Sequence, residues 1–213
     1  MRAVDRVIRS AVAPNTKPLA AVFARAFAGD PLYAWIFPDQ RSRRQRLPRL
    51  FAAQLRAAQR SRDELDVMVA DGQILGCAVW SPPEARRPSA GQQLAVLASF
   101  PLILWLRLRV ALRSFDTLGR ARPTEPHWYL STIGVDPPAQ RTGVARGLLG
   151  PRLARCDEAG IPVALVTGEQ SNVSYYQSLG IEVTREINLP GDGRAHWSMW
   201  RKPISDTSAF QPP

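Results

Sequence analysis

The chain has 213 residues, a mass of 23.6 kDa and a formal net charge of +10 at pH 7. Its hydrophobic fraction of 45% and charged fraction of 22% are those of an ordinary globular protein, which excludes a disordered, collagen-like or coiled-coil chain. A chain of this length buries enough surface to fold without disulfide bonds, so we expect one domain over residues 1–204 and a disordered polar tail at 205–213.

Hydrophobic spacing predicts a mixed series of helices and strands. In the first half we predict a strand at 6–11, helices at 17–28 and 41–62, and a hairpin of strands 65–70 and 73–80 that turns at Asp71-Gly72. Further helical segments are predicted within 89–118. The second half alternates strand, helix, strand, helix, strand and strand, at 127–135, 141–159, 163–169, 173–179, 182–189 and 196–201. This order predicts an α/β fold of the mixed-sheet (α+β) kind with a βαβα core near its carboxyl end.

Charge and hydropathy indicate which classes of binding partner to expect. The apolar segment Leu94–Leu106 is shorter than the ~20 residues of a spanning helix, so we expect a buried or groove-lining helix there. The arginine-rich helix at 41–62 is interpreted as a solvated face, with steering of an anionic ligand or docking of an acidic partner as the alternatives. Only one aromatic residue, Phe51, interrupts it, which argues against nucleic-acid recognition. The positive charge favours an anionic ligand, and we expect neither nucleic acid nor membrane as a partner.

Cysteine and histidine usage bears on metals and compartment. Cys77, Cys156, His127 and His196 have none of the spacings that bind zinc. We therefore predict no metal site. Two distant cysteines favour a reducing compartment, and the amino-terminal segment has no apolar stretch typical of a secretion signal, so we expect a cytoplasmic protein.

The most informative pattern follows the strand at 127–135. The segment Gln140–Ala145, Gln-Arg-Thr-Gly-Val-Ala, joins that strand to the next predicted helix. A strand, a tight loop containing Gly143 and a helix start bring several unpaired backbone N–H groups around one point. We predict that this loop binds a phosphate or pyrophosphate.

A second motif begins at Asn172, which we interpret as a cap just before a short helix, and runs through Tyr175 and Tyr176 to Gly180. Together with Gln140–Ala145, this motif resembles the GNAT superfamily of acyl-CoA-dependent N-acyltransferases, whose pyrophosphate motif is Q/R-x-x-G-x-G/A. The resemblance is densest over residues 125–203 and looser before them.

The resemblance implies a GNAT-type fold in which two central parallel strands splay apart and acetyl-CoA, with no metal, lies in the cleft. Its pyrophosphate would lie on the loop, and its pantetheine arm would follow the strand edge as an added strand does. A backbone N–H near the strand end would hold the thioester oxygen. The residues that the resemblance assigns to acetyl-CoA are Ile133, Gly134, Val135, Gln140, Arg141, Thr142, Gly143, Val144, Ala145, Arg146 and Asn172.

Direct acyl transfer needs a proton donor for the departing thiolate. A phenol with a reference pKa of roughly 10 keeps its proton at neutral pH and suits this role. The resemblance assigns the general acid to Tyr176, whereas we interpret Tyr175 as a packing residue.

The attacking amine needs a proton acceptor, and here the sequence departs from the family member nearest in pattern. That member has a glutamate where this chain has Val166, which cannot accept a proton. Glu169 is the nearest carboxylate, but its odd offset puts it on the opposite face of a regular strand. Asp30 and His127 are further candidates, and a water relay or an acceptor of low amine pKa needs none of them.

We expect the acceptor to bind before the core motif and beside it, at Asp30, Tyr33, Trp35, Glu169 and the segment Leu94–Leu106. The aromatic side chains there fit core packing equally well. The predicted function is transfer of an acetyl group from acetyl-CoA to a primary amine of a small molecule. The alternatives are acetylation of peptide or protein amines, and a non-catalytic acyl-CoA-binding module. We expect a monomer or a homodimer.

Overall fold

The computed structural model describes residues 6–10, 16–85, 113, 116–189 and 195–204. These ranges contain both helices and strands, with further helical residues at 116–121 and a short 3-10 helix at Pro137–Ala139. In chain order the elements are β1 (Val7–Ser10), α1 (Thr16–Ala26), α2 (Pro31–Ile36), α3 (Gln40–Arg60), β2 (Glu64–Ala70), β3 (Gln73–Ser81), β4 (Trp128–Val135), α4 (Val144–Glu158), β5 (Val163–Thr167), α5 (Gln170–Gln177), β6 (Glu182–Asn188) and β7 (Ala195–Arg201).

The strands form one seven-stranded sheet in the order β1-β2-β3-β4-β5-β7-β6. Neighbouring strands are antiparallel except for the parallel pair β4 and β5, which α4 connects. A parallel pair needs such a crossover connection. The mixed α/β fold with a central parallel pair is therefore confirmed.

The hairpin between β2 and β3 forms as the sequence predicts. Asp71 and Gly72 both have positive φ angles, 49° and 73°. Two consecutive positive φ angles are typical of the tight turn that Asp-Gly favours, and this turn matches the twist of the two strands. It also fixes the register of β2 against β3.

Two helices differ from the prediction for local reasons. The helix α2 was not predicted; it forms because the Asp30 carboxylate accepts hydrogen bonds from the backbone N–H groups of Leu32 and Tyr33. The prediction that Asn172 caps the short helix is wrong, because α5 begins at Gln170 and Asn172 lies inside it. The predicted segments at 94–106 and 205–213, and most of 89–118, lie outside the described residues.

Hydrophobic side chains pack on both faces of the sheet. One cluster joins α1, α2 and α3 to residues such as Val79, and the other joins α4 and α5 to residues such as Trp80. Val79 and Trp80 are neighbours on β3, so the alternation of a strand divides them between the two faces. In the described ranges no helix is both long and apolar enough to cross a membrane.

A buried ion pair fastens α4 to the sheet. The Arg152 guanidinium contacts Asp66 at 3.1 Å and Glu64 at 2.6 Å, and only 3% of the Arg152 side chain and 4% of the Asp66 side chain is exposed. The same guanidinium lies over the rings of Trp128 and Trp80. Because two ionic groups are desolvated together, removal of one leaves the other without compensation.

We expect Asp66→Asn to lower the free energy of unfolding by about 3 kcal/mol, because Arg152 then stays buried with a weaker partner. The matched control is Asp116→Asn, since Asp116 pairs with Arg120 while 57% of its own side chain is exposed. The control should change stability by less than about 1 kcal/mol in urea denaturation. Equal losses in both variants would contradict this role of the buried pair.

Candidate functional site

The site begins where the two parallel strands part. β4 and β5 are paired at three positions, from Trp128 opposite Val163 to Leu130 opposite Leu165. In the described sheet their pairing ends there, although β4 continues to Val135 and β5 to Thr167. A cleft therefore opens between the carboxyl ends of the strands, which is where open α/β sheets bind ligands.

A β-bulge in β4 lies at the mouth of this cleft. On β3, Val79 pairs with Thr132 and the next residue, Trp80, pairs with Leu130, so Ser131 is the extra residue of β4. Such a bulge bends its strand and redirects the side chains around it. Ser131 is accordingly exposed at the cleft, although β4 is a central strand.

The predicted cofactor-binding residues of β4 lie beyond this bulge. Ile133 faces the cleft, and Val135 packs against the cluster beneath α4. A Cβ atom on Gly134 would lie 2.6 Å from Phe23 of α1, so only glycine allows this close approach. The glycine therefore lets α1 pack directly on β4.

The predicted anion-binding loop has a defined shape. The helix α4 begins at Val144 instead of the predicted residue 141, because Gly143 is left-handed with φ 87°. Arg141 also has a positive φ of 61°. Thr142 is held in place from two sides, since its hydroxyl donates to the Ala139 carbonyl and its own carbonyl accepts from Arg6.

This loop presents free backbone donors. Within the described part of the chain, the backbone N–H groups of residues 141–146, which include Val144 and Ala145, donate to no carbonyl or side chain. The side chains of Arg141 and Arg146 are exposed beside them, and Gln140 donates to the Val135 carbonyl at 3.2 Å. Free N–H groups, a helix start and positive charge together suit a diphosphate.

A cavity of about 270 Å³ occupies the cleft. Its walls come mainly from β4 around the bulge, the end of β5, α5, and α2 with the residue before it. The predicted site residues that line it are Asp30, Tyr33, Ile133, Glu169, Asn172 and Tyr176.

Tyr176 and Tyr175 are neighbours in α5 with different surroundings. Tyr176 lines the cavity and is buried, and this burial raises the pKa of its phenol well above the usual value. Tyr175 packs against the cluster beneath α4, where its hydroxyl is buried and has no hydrogen-bond partner in the described structure. Burial also raises the pKa of Tyr175, which the charge of Arg146 partly offsets.

Two carboxylates and a histidine also line the cavity, namely Asp30, Glu169 and His196. Glu169 reaches it because β5 ends at Thr167 and the chain bends at Gly168, so the opposite-face placement, which holds only for a regular strand, does not apply to Glu169. Burial, and to a smaller extent the charge of Glu169, raise the pKa of Asp30, while His196 acts in the opposite direction. A Cβ atom on Gly168 would lie 2.7 Å from the His196 imidazole, which shows how closely the two residues pack.

Other candidates lie elsewhere. Trp35 packs against the cluster around α1 and α3 and does not line the described cavity. Tyr33 does line it, and burial raises the pKa of its phenol. His127 is buried just before the amino end of β4, where it is hydrogen-bonded to the Glu125 carbonyl and to Arg122.

Sequence reasoning missed three contributors to the site. His196 on β7 faces the cavity because β7 pairs with β5, and sequence spacing gave no sign of this. Gln54 of α3 also lines the cavity, and Ser131 is exposed only through the bulge. No group of three His, Cys, Asp or Glu residues that could hold a metal ion occurs among the described residues.

Solved structures with the same fold come from several organisms. A structure from Corynebacterium glutamicum described as histone acetyltransferase HPA2 and related acetyltransferase has a TM-score of 0.69 and 24% identity, covering 95% of this chain and 98% of that chain. The PaiA N-acetyltransferase of Thermoplasma acidophilum, in complex with coenzyme A, has a TM-score of 0.58 and 14% identity, with coverage of 93% and 99%. The ribosomal-protein-S18-alanine N-acetyltransferase of Escherichia coli has a TM-score of 0.57 and 15% identity, covering 98% of this chain and 100% of that chain. At these levels of sequence identity, the comparisons show that the structures share a fold and no more.

The sequence itself matches a family model. The model of the acetyltransferase (GNAT) family covers residues 29–181, well over half of the 213-residue chain. The matched range includes the loop at 140–146, the bulge of β4 and Tyr176. The chain therefore belongs to the GNAT family of acetyltransferases, as the free N–H groups of the loop and the parted strands β4 and β5 had already indicated.

Proposed function

We propose that the protein transfers an acetyl group from acetyl-CoA to a primary amine of a small molecule, by direct attack in a ternary complex. One observation carries the proposal. β4 parts from β5 at a cavity lined by Tyr176 and two carboxylates, and the same strand leads from this cavity to the loop with its free N–H groups at 141–146. Donor and acceptor can therefore meet within one cleft.

The loop would hold the donor. Coenzyme A, when bound, supplies the acetyl group as an activated thioester. The N–H groups of residues 141–146 and the guanidinium groups of Arg141 and Arg146 would bind its pyrophosphate. The free edge of β4 beyond the bulge, from Thr132 to Val135, would pair with the pantetheine arm, and Asn172 would contact it.

Tyr176 would protonate the departing thiolate. Its hydroxyl keeps its proton throughout the neutral range because burial raises its pKa. A general acid must hold its proton until the transition state, and Tyr176 lines the same cavity as the carboxylates of Asp30 and Glu169. Tyr176 would therefore give a proton to sulfur while the new amide bond forms.

Asp30 and Glu169 would select the acceptor. In a chain with a formal net charge of +10, these two carboxylates line one cavity together with His196. An amine arrives as an ammonium ion, and a carboxylate beside the cavity attracts and orients it. The cavity of about 270 Å³ fits a small molecule.

The identity of the acceptor amine has to be tested. The sequence resembles puromycin N-acetyltransferase in pattern, but Val166 stands where that protein has a glutamate, so puromycin enters as one amine among several. Peptide amines test the second acceptor class. We propose that the protein acts in the cytoplasm as a monomer or a homodimer.

The first test follows release of free thiol from acetyl-CoA with puromycin, other aminonucleosides, aminoglycosides, arylamines, polyamines and lysine peptides. With an accepted amine, Tyr176→Phe should lower kcat about ten-fold or more, because the general acid is lost. Tyr175→Phe is the matched control, since the Tyr175 hydroxyl has no partner in the described structure, and its kcat should stay near wild type. Binding of acetyl-CoA without turnover on any amine would favour the non-catalytic module.

The second test concerns the loop. Gly143→Ala should weaken coenzyme A binding about ten-fold in calorimetry, because a left-handed backbone costs a non-glycine residue roughly 1–2 kcal/mol. Gly150→Ala is the control, since a Cβ atom there meets nothing within 4 Å and Gly150 lies inside α4. Equal affinities for the two variants would contradict the loop's role.

The third test concerns the acceptor. Glu169→Gln should raise KM for the amine about ten-fold with little change in kcat, as loss of one charge-assisted hydrogen bond in the bound state requires. Glu158→Gln, an exposed carboxylate at the end of α4, is the control. If kcat falls while KM holds, Glu169 acts in the chemical step instead of in binding.

A further inference from the structure

His196 enters the cavity from β7, the strand next to β5. The register pairs Thr167 with Trp197, so Gly168, the residue after β5, comes next to His196. A Cβ atom on Gly168 would lie 2.7 Å from Nε2 of His196, and the imidazole therefore occupies the space that a side chain would need there. Only 5% of His196 is exposed, and the residue lines the cavity.

The register also fixes the face of the sheet on which the imidazole lies. His196 is directly opposite Ile187 of β6, and residues directly opposite in an antiparallel pair share a face. Ile187 belongs to a small cluster against which Val166 of β5 packs, whereas Leu165, the neighbour of Val166, packs beneath α4. Because side chains alternate along a strand, His196 and Val166 lie on the face away from α4.

Tyr176 approaches the same cavity from the other face. Its helix α5 packs with α4 in the cluster that contains Leu165. Both Tyr176 and His196 line the cavity because the parted ends of β4 and β5 leave the sheet open between them. A phenol that holds its proton and an imidazole that can accept one thus lie on opposite sides of the opening.

The cavity wall offers few groups that could take a proton from an amine. Among the described residues that line it, Asp30, Glu169 and His196 accept a proton readily. A carboxylate stabilises the ammonium form of an amine and so opposes its deprotonation. Asp30 also accepts hydrogen bonds from the backbone N–H groups of Leu32 and Tyr33. An imidazole has two ring nitrogens, so it can hold a hydrogen bond with one and accept a proton with the other.

We propose that His196 takes the proton from the acceptor amine, which makes it a catalytic residue of the proposed function on which this inference rests. An amine that has lost its ammonium proton to solvent attacks the carbonyl carbon, so that a C–N bond forms and the C–S bond breaks. The nitrogen gives one proton to the His196 imidazole, and Tyr176 gives its proton to the departing sulfur. The imidazolium then loses its proton to solvent and the Tyr176 oxygen regains one, so both side chains return to their starting forms.

The two carboxylates support this transfer without taking the proton. They attract the amine while it is an ammonium ion, and they stabilise the imidazolium that forms when His196 accepts the proton. Asp30 and His196 lie close enough for their charges to attract each other. Binding and deprotonation are thereby divided between different side chains, so the loss of each should affect KM and kcat differently.

The test compares His196→Asn with His127→Asn as its matched control. Both imidazoles are buried, but His127 lies before β4 and does not line the described cavity. With an accepted amine, His196→Asn should lower kcat about a hundred-fold or more with little change in KM, because the proton acceptor is lost. His127→Asn should keep kcat near wild type. Coenzyme A affinity, measured by calorimetry, should match wild type in both and shows that each variant is folded.

Two further readouts separate a proton acceptor from a packing residue. His196→Ala leaves a space beside Gly168, and imidazole added to the solution should raise kcat of this variant about ten-fold or more, but not that of Tyr176→Phe. The pH profile of kcat is measured with two accepted amines of different pKa. Wild type should show a rising limb at the same pH for both amines, whereas a limb due to the amine would move, and His196→Asn should lack the fixed limb.

Several results would overturn this role of His196. A change in KM alone would make it a binding residue, and equal losses of kcat in His196→Asn and His127→Asn would make the effect structural. An unchanged limb in His196→Asn, or no response of His196→Ala to imidazole, would exclude the imidazole as the acceptor. The other titratable side chains of the described cavity wall are Asp30, Tyr33, Tyr129, Glu169 and Tyr176.

The carboxylates provide the competing assignment. A fixed limb that persists in His196→Asn and disappears in Glu169→Gln or Asp30→Asn would assign the proton to that carboxylate instead. Wild-type protein that binds acetyl-CoA but turns over no amine would overturn the proposed function, and the role of His196 with it.

Discussion

The three-position pairing of β4 with β5 is the constraint on which the site depends. The strands are held together from Trp128 to Leu130 and then part, while β3 and β7 keep their outer edges paired. The bulge at Ser131 bends β4 at this point. Backbone groups beyond it lose their partners on β5 and become available to a ligand, and the same opening contains the cavity beside β4. Longer pairing would close both.

Packing on the two faces of the sheet holds this opening in place. Arg152 fastens α4 to β2 through Asp66, and this contact sets where the amino end of α4 presents its free N–H groups. On the other face, Phe23 of α1 packs directly on Gly134 of β4. Ordering the side chains at both places costs conformational entropy. Burial of apolar surface in the two hydrophobic clusters offsets this cost. The cleft is thus open because its walls are separately anchored.

Local sequence patterns predicted much of this architecture and part of the site. The Asp71-Gly72 turn, the strand before Gln140 and the helix after Gly143 all depend on residues close in sequence. Tyr176 could be assigned because its motif is contiguous. The helix α2 was missed because its start depends on one side chain, that of Asp30, which caps it. The face of Glu169 could not be predicted because the alternation of a strand holds only while the strand continues, and β5 ends two residues earlier.

The class of fold follows from the order of helices and strands along the chain, and the contiguous motifs that resemble the GNAT family predicted the pyrophosphate loop and Tyr176. Which titratable groups share the cavity depends instead on the tertiary structure. His196 arrives through the pairing of β7 with β5, and Ser131 reaches Ser81 through a bulge. The physical reason is that proton transfer depends on distances of about 3 Å between atoms. Strand register and helix packing set such distances between residues that are far apart in sequence.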